Sequence, residues 1–216
     1  MKRLFKFGLM TSIFVAGSII ASPLSTTNIP MQYPEQLPYA VISHNTHNVF
    51  FSKLQSLCGK TFSGKLVADT SESERFAGQT LLMHVRTCDE NTIYIPFHVG
   101  EDHSRTWIIS RTPFGLGLKH DHRNPDGTHS YLTMYGGLSQ NTGSEFRQDF
   151  PVDSYSQQML LELGYPQSVT NVWSFFVYPD KVSYQLSRDG FVFRVEFDTQ
   201  NEVATAPTPW GYKKLN

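Results

Sequence analysis

The sequence predicts an all-β protein, an antiparallel meander closed into a barrel or folded into a sandwich, with one or two short helices. Three observations carry that prediction. Nine short segments rich in β-branched and aromatic residues alternate apolar with polar positions. Turn clusters such as Asp89-Glu90-Asn91, Asn124-Pro125-Asp126-Gly127 and Arg188-Asp189-Gly190 separate most of them, and short links force antiparallel neighbours. The composition, 39% hydrophobic and 13% aromatic with 17% charged, is that of a packed domain and excludes disorder, coiled coil and collagen.

Residues 1–21 read as a secretory signal peptide. Lys2, Arg3 and Lys6 form its positive head, Phe7 to Ile20 its apolar run and Ala21 the small residue at the cleavage point. The run is short for a bilayer and no later segment reaches spanning length, so no membrane span is expected after cleavage. Cleavage removes those three cations and no acid, moving the net charge from −1 to −4. That sign argues against a nucleic-acid partner, which needs a basic face to displace counterions. The expected location is secreted or periplasmic, where Cys58 and Cys88, an even pair without Cys-x-x-Cys spacing, are expected to form a disulfide.

Residues 22–39, rich in Pro, Ser, Thr and Gln and without apolar period, read as an extended leader, and 40–216 as one barrel domain. His44 and His47 fall in what reads as a loop. Phe50, Leu54 and Leu57 have helical spacing up to Gly59, as do Tyr155, Met159, Leu160 and Leu163 between an Asp153 or Ser154 cap and Gly164. The strands expected are Thr61–Asp69, Gln79–Cys88, Thr92–Val99, Arg105–Arg111, Leu116–Arg123, Ser130–Tyr135, Val172–Tyr178, Lys181–Arg188 and Phe191–Asp198. Pro207, Pro209 and Trp210 mark a tail that packs back instead of extending the sheet.

The Asn124-Pro125-Asp126-Gly127 turn sets a register. With residues 125–127 as the loop, His122 faces Ser130 and His120 faces Leu132, so the two histidines share a sheet face. Two imidazoles on one strand face are close enough to converge on one metal ion, zinc by ligand preference, if His98 supplies a third ligand; His84 and Asp126 are further donors. The alternative is that they are hydrogen-bonded sheet residues. The opposite face, assigned Arg105, Trp107, Arg111, Lys119, Asp121, Arg123 and Tyr135, is a candidate polar lumen for a small anionic ligand or a solvated outer surface. Register alone does not say which face is interior. The sequence carries no nucleophile elbow, His-Glu-x-x-His, phosphate loop or dinucleotide fingerprint.

Leu57-Cys58-Gly59 with Phe62 and Gly64, Val99-Gly100-Glu101 with Ser104-Arg105-Thr106-Trp107, Leu118 to Arg123 with Asp126-Gly127, and Met134-Tyr135-Gly136-Gly137 form a pattern. It resembles a group of uncharacterised secreted bacterial proteins, a likeness that implies export and brings no activity with it. More loosely, a Leu-x-Gly start before many antiparallel strands looks like the calycin-type barrels of lipocalins and fatty-acid-binding proteins, at the level of fold alone. Three functions follow as expectations. The first is an exported barrel binding a small ligand. The others are a metal-dependent hydrolase built on His120-x-His122, and an interaction module of the cell envelope.

Overall fold

Strand-forming segments joined by tight turns leave few ways to bury one face of each, and closing the sheet on itself is the one taken here. The computed structural model describes residues 38–71 and 75–215, with side chains from Asn45 onward. The signal peptide and residues 22–37 of the leader lie outside the described residues.

The elements in order are α1 (Pro38–Gln55), β1 (Thr61–Asp69), β2 (Leu81–His84), β3 (Thr87–Cys88), β4 (Thr92–Val99), β5 (Asp102–Thr112), β6 (Gly115–His122), β7 (Tyr135–Leu138), β8 (Arg147–Pro151), α2 (Ser154–Glu162), β9 (Val172–Val177), β10 (Lys181–Arg188) and β11 (Phe191–Glu202). Ten strands neighbour one another as β7-β6-β5-β4-β2-β1-β11-β10-β9-β8, all antiparallel, and β3 pairs with β4 beside this path. The ends of the path meet: Gly137 bridges Val152, Asp153 donates its N–H to the Gly136 carbonyl at 3.0 Å, and Gly136 donates to Ser156 Oγ at 2.7 Å. The result is a nearly closed barrel, not a sandwich. The seam needs both glycines, because a Cβ at Gly136 would overlap the Leu118 carbonyl and one at Gly137 the Pro151 carbonyl.

Helix α1 starts at Pro38, far earlier than the Phe50-Leu54-Leu57 spacing predicts, so the last residues of the expected leader and the positions of His44 and His47 are helical. Its Phe50, Phe51 and Leu54 are fully buried in the common core, where the helix meets β6, β8 and β9. Burying each of these side chains stabilises the fold by roughly 2 kcal/mol. Arg111, at the far end of β5, stacks its guanidinium 4.2 Å from the Phe51 ring. The helix thus stoppers the barrel end where β5 turns into β6. Helix α2 has the expected Asp153 cap, whose side chain accepts from the Ser156 N–H.

Cys58 and Cys88 form a disulfide that ties the turn after α1 to β3 across 30 residues of sequence. Closing a loop of that size contributes roughly 3 kcal/mol in the chain-entropy picture. Among the described residues no helix is long and apolar enough to cross a membrane.

Candidate functional site

The tight turn between β5 and β6 pairs Thr112 with Gly115, and the ladder then carries Trp107 opposite His120 and Arg105 opposite His122. Cross-strand partners share a face. Trp107 is 2% exposed and packs among core residues, so this face is the interior, and it holds Arg105, Trp107, His120 and His122 together. The two histidines point the same way, as their spacing predicts.

Tyr135 joins them, against expectation. The Asn124 turn forms as read, with Gly127 donating to the Asn124 carbonyl and Asn124 to the Thr128 carbonyl, both at 2.8 Å. Ser130 still donates to the His122 carbonyl at 3.0 Å. The chain then leaves the ladder, Met134 adopts φ 58°, and β7 starts at Tyr135 directly opposite His120. The expected strand Ser130–Tyr135 is therefore an excursion, and Tyr135 changes face.

These side chains line a cavity of about 210 Å³ at the barrel end opposite α1. One wall is an aromatic stack in which the Trp107 ring lies 4.8 Å from Phe97 and 4.4 Å from Tyr184. Asp69 from β1, Leu186 from β10 and Phe193 from β11 add to the lining, as do Arg75 and Phe76. Tyr184, absent from the expected ligand set, alternates with inward Val182 and Leu186 along β10, and that period is its signal in the sequence.

The polar groups form two tyrosine–histidine pairs. His120 Nδ1 lies 3.2 Å from the Tyr135 carbonyl, which accepts only, so Nδ1 carries the proton. Its Nε2 then accepts from the Tyr184 hydroxyl at 2.8 Å, and the imidazole stacks on the Tyr135 ring at 4.6 Å. The Tyr135 hydroxyl meets His122 Nε2 at 3.3 Å. Burial, aided by the neighbouring His122, lowers His120 to about 3, while burial and then Arg105 lower His122 to about 4. Burial raises Tyr135 to about 12 and Tyr184 well above its ordinary value. All four groups are therefore uncharged near neutral pH. Among the described residues the charged side chains on the lining are Asp69, Arg75 and Arg105, and Arg105 Nη1 donates to Asp102 Oδ2 at 2.8 Å.

The ligand set expected from sequence divides between two faces. Arg105, Trp107 and Tyr135 line the cavity, whereas Lys119, Asp121 and Arg123 alternate to the outside. Lys119 pairs with Asp153 at 2.6 Å beside α2. Asp121 is 2% exposed and accepts from Arg123 Nε at 2.9 and 3.0 Å, Thr133 Oγ1 at 3.2 Å and the Tyr212 hydroxyl at 2.7 Å. It anchors the C-terminal segment.

The metal set divides in the same way. His98 sits on β4 between inward Phe97 and Val99, so it faces outward, buried beneath the returning tail, with its Nδ1 2.9 Å from His103 Nδ1. Trp210 completes that roof by donating its N–H to the His103 carbonyl at 3.1 Å. His98 cannot reach an ion held by His120 and His122 across the sheet, and both ring nitrogens of His120 already have partners. His84 lies on the outer face as well, and Asp126 turns its carboxylate to Thr128 in the exposed loop. Among the described residues no three His, Cys, Asp or Glu side chains gather as metal ligands. Comparison with protein-family models, curated proteins and solved structures gives no match, so the site's own geometry carries the functional argument.

Proposed function

We propose that the protein is an exported barrel that binds a small ligand with an apolar body in the cavity between Trp107, His120, Tyr135 and Tyr184. The observation that carries this reading is an interior space walled by stacked aromatic rings and lined by polar groups held in place by one another. Pocket walls of this kind orient a guest through few polar contacts on an apolar surface. The volume, about 210 Å³, equals the share of about seven waters, so the guest is small. Export is supported by the signal-like residues 1–21 and by the Cys58–Cys88 disulfide, which an oxidising compartment preserves.

The test is native mass spectrometry of the protein purified from the export compartment of its own host, beside a Leu186→Trp variant that fills the cavity. A small-molecule adduct on the wild type and a bare mass for the variant are expected. The same adduct on both, or a bare wild type whose tryptophan emission ignores a panel of small ring-bearing compounds, overturns the reading.

A further inference from the structure

The cavity carries two unlike poles. At one, Arg105 and His122 are cross-strand partners and both line the space. Asp102 takes Arg105 Nη1 but does not itself line the cavity, so it fixes the guanidinium from behind. The His122–Tyr135 pair adds a donor whichever way its proton lies. If the phenol donates to Nε2, His122 Nδ1–H remains; if Nε2–H donates, the phenolic O–H remains. Arg75 strengthens this pole, its positive charge acting on both His122 and Tyr135. The groups collected here suit an acceptor bearing negative charge.

The other pole is Asp69. It ends β1 opposite inward-facing Phe193, and its Oδ1 accepts the Ser71 N–H at 2.9 Å. Its Oδ2 is buried and has no hydrogen-bond partner among the described residues. A buried carboxylate oxygen without a donor is rare in folded proteins, and on a cavity wall it asks for a donor from the guest. A guest with a carboxylate alone leaves Asp69 Oδ2 without a donor, and one with an amine alone adds nothing to the pairing Arg105 already has with Asp102.

Building on the cavity reading, we propose that the guest is a small apolar α-amino acid, its carboxylate on Arg105, its ammonium on Asp69 and its side chain against Trp107, Phe97, Phe193 and Leu186. The volume suits a side chain of leucine or phenylalanine size.

The experiment is calorimetric titration of the mature protein with two probe sets of shared body. One is phenylalanine, 3-phenylpropionate and 2-phenylethylamine; the other is leucine, 4-methylpentanoate and 3-methylbutylamine. In at least one set the amino acid is expected to bind about tenfold or more tighter than either one-headed analogue, the effect of one charge-assisted hydrogen bond. Arg105→Gln is expected to weaken amino acid and acid while sparing the amine, and Asp69→Asn to weaken amino acid and amine while sparing the acid. The ranking on the wild type needs no variant to fold. Equal affinities within both sets overturn the two-pole assignment and leave the cavity reading standing. Silence toward all six probes, with a native adduct still lost in Leu186→Trp, does the same. Silence together with a bare native mass overturns both.

Discussion

Two regions of this barrel bury histidines, tyrosines and carboxylates in similar number and put them to opposite use. On the outer face, under the C-terminal segment, Asp121 takes Arg123, Thr133 and Tyr212, while His98 and His103 close on each other. There the polar atoms serve to hold one part of the chain to another. On the inner face, His120 and Tyr184, and His122 and Tyr135, pair around a space that the protein's own side chains leave unfilled. Neighbouring residues of one strand, Asp121 and His122, belong to different regions because side-chain direction alternates. Burial of a polar residue is therefore no sign of a binding site; what separates the two regions is the unfilled space beside the inner pairs.

The comparison is open to test by removing one group at a time. The largest effect is expected from Asp121→Ala, which leaves Arg123 and Tyr212 without their shared acceptor and costs about 3–5 kcal/mol in urea unfolding. A matched pair of phenol deletions then sets outside against inside. Tyr212→Phe removes a hydrogen bond to a carboxylate and is expected to cost about 2 kcal/mol, whereas Tyr184→Phe removes one to a neutral imidazole and is expected to cost about 1 kcal/mol. Equal costs would show that the two regions are held alike.

The last test concerns acid. Burial first, then His103 and His84, lower His98 to about 4 from an ordinary 6.5, with Asp102 opposing them. Between those values the unfolded chain binds a proton that the folded one refuses, so stability present above pH 6.5 is lost as the pH falls toward 4. His120 and His122 add to the same slope from the inner face. His98→Gln is expected to flatten part of it, read as urea midpoints across that range. An unchanged slope would assign the acid response to the other histidines that burial lowers, His84, His120 and His122.

Much of this was legible in the residues. Alternation and turn chemistry give an antiparallel meander, barrel or sandwich, the Asn-Pro-Asp-Gly loop gives the common direction of His120 and His122, and the cysteine count gives the disulfide. Two kinds of information were missing. Tyr135 reaches the interior through a left-handed Met134, and a non-glycine residue at positive φ announces nothing in sequence. The division of the ligand set depends on the β5–β6 register, which Thr112 and Gly115 set at a turn that the counting from Asn124 never reaches. Strand β8, Arg147-Gln148-Asp149-Phe150-Pro151, hides because three polar residues and a proline suppress its period, although the sheet pairs it along its length with β9.

The seam between β7 and β8 has a mechanical consequence. Neighbouring strands such as β5 with β6 or β10 with β11 share ladders of eight paired positions, whereas β7 meets β8 through the single bridge at Gly137 and the support of Asp153 and Ser156. The wall of the barrel is thus unevenly strong. Tension applied around its circumference would part it along Gly136 and Gly137 first, and the sheet would uncurl from there as one piece, its long ladders still zipped.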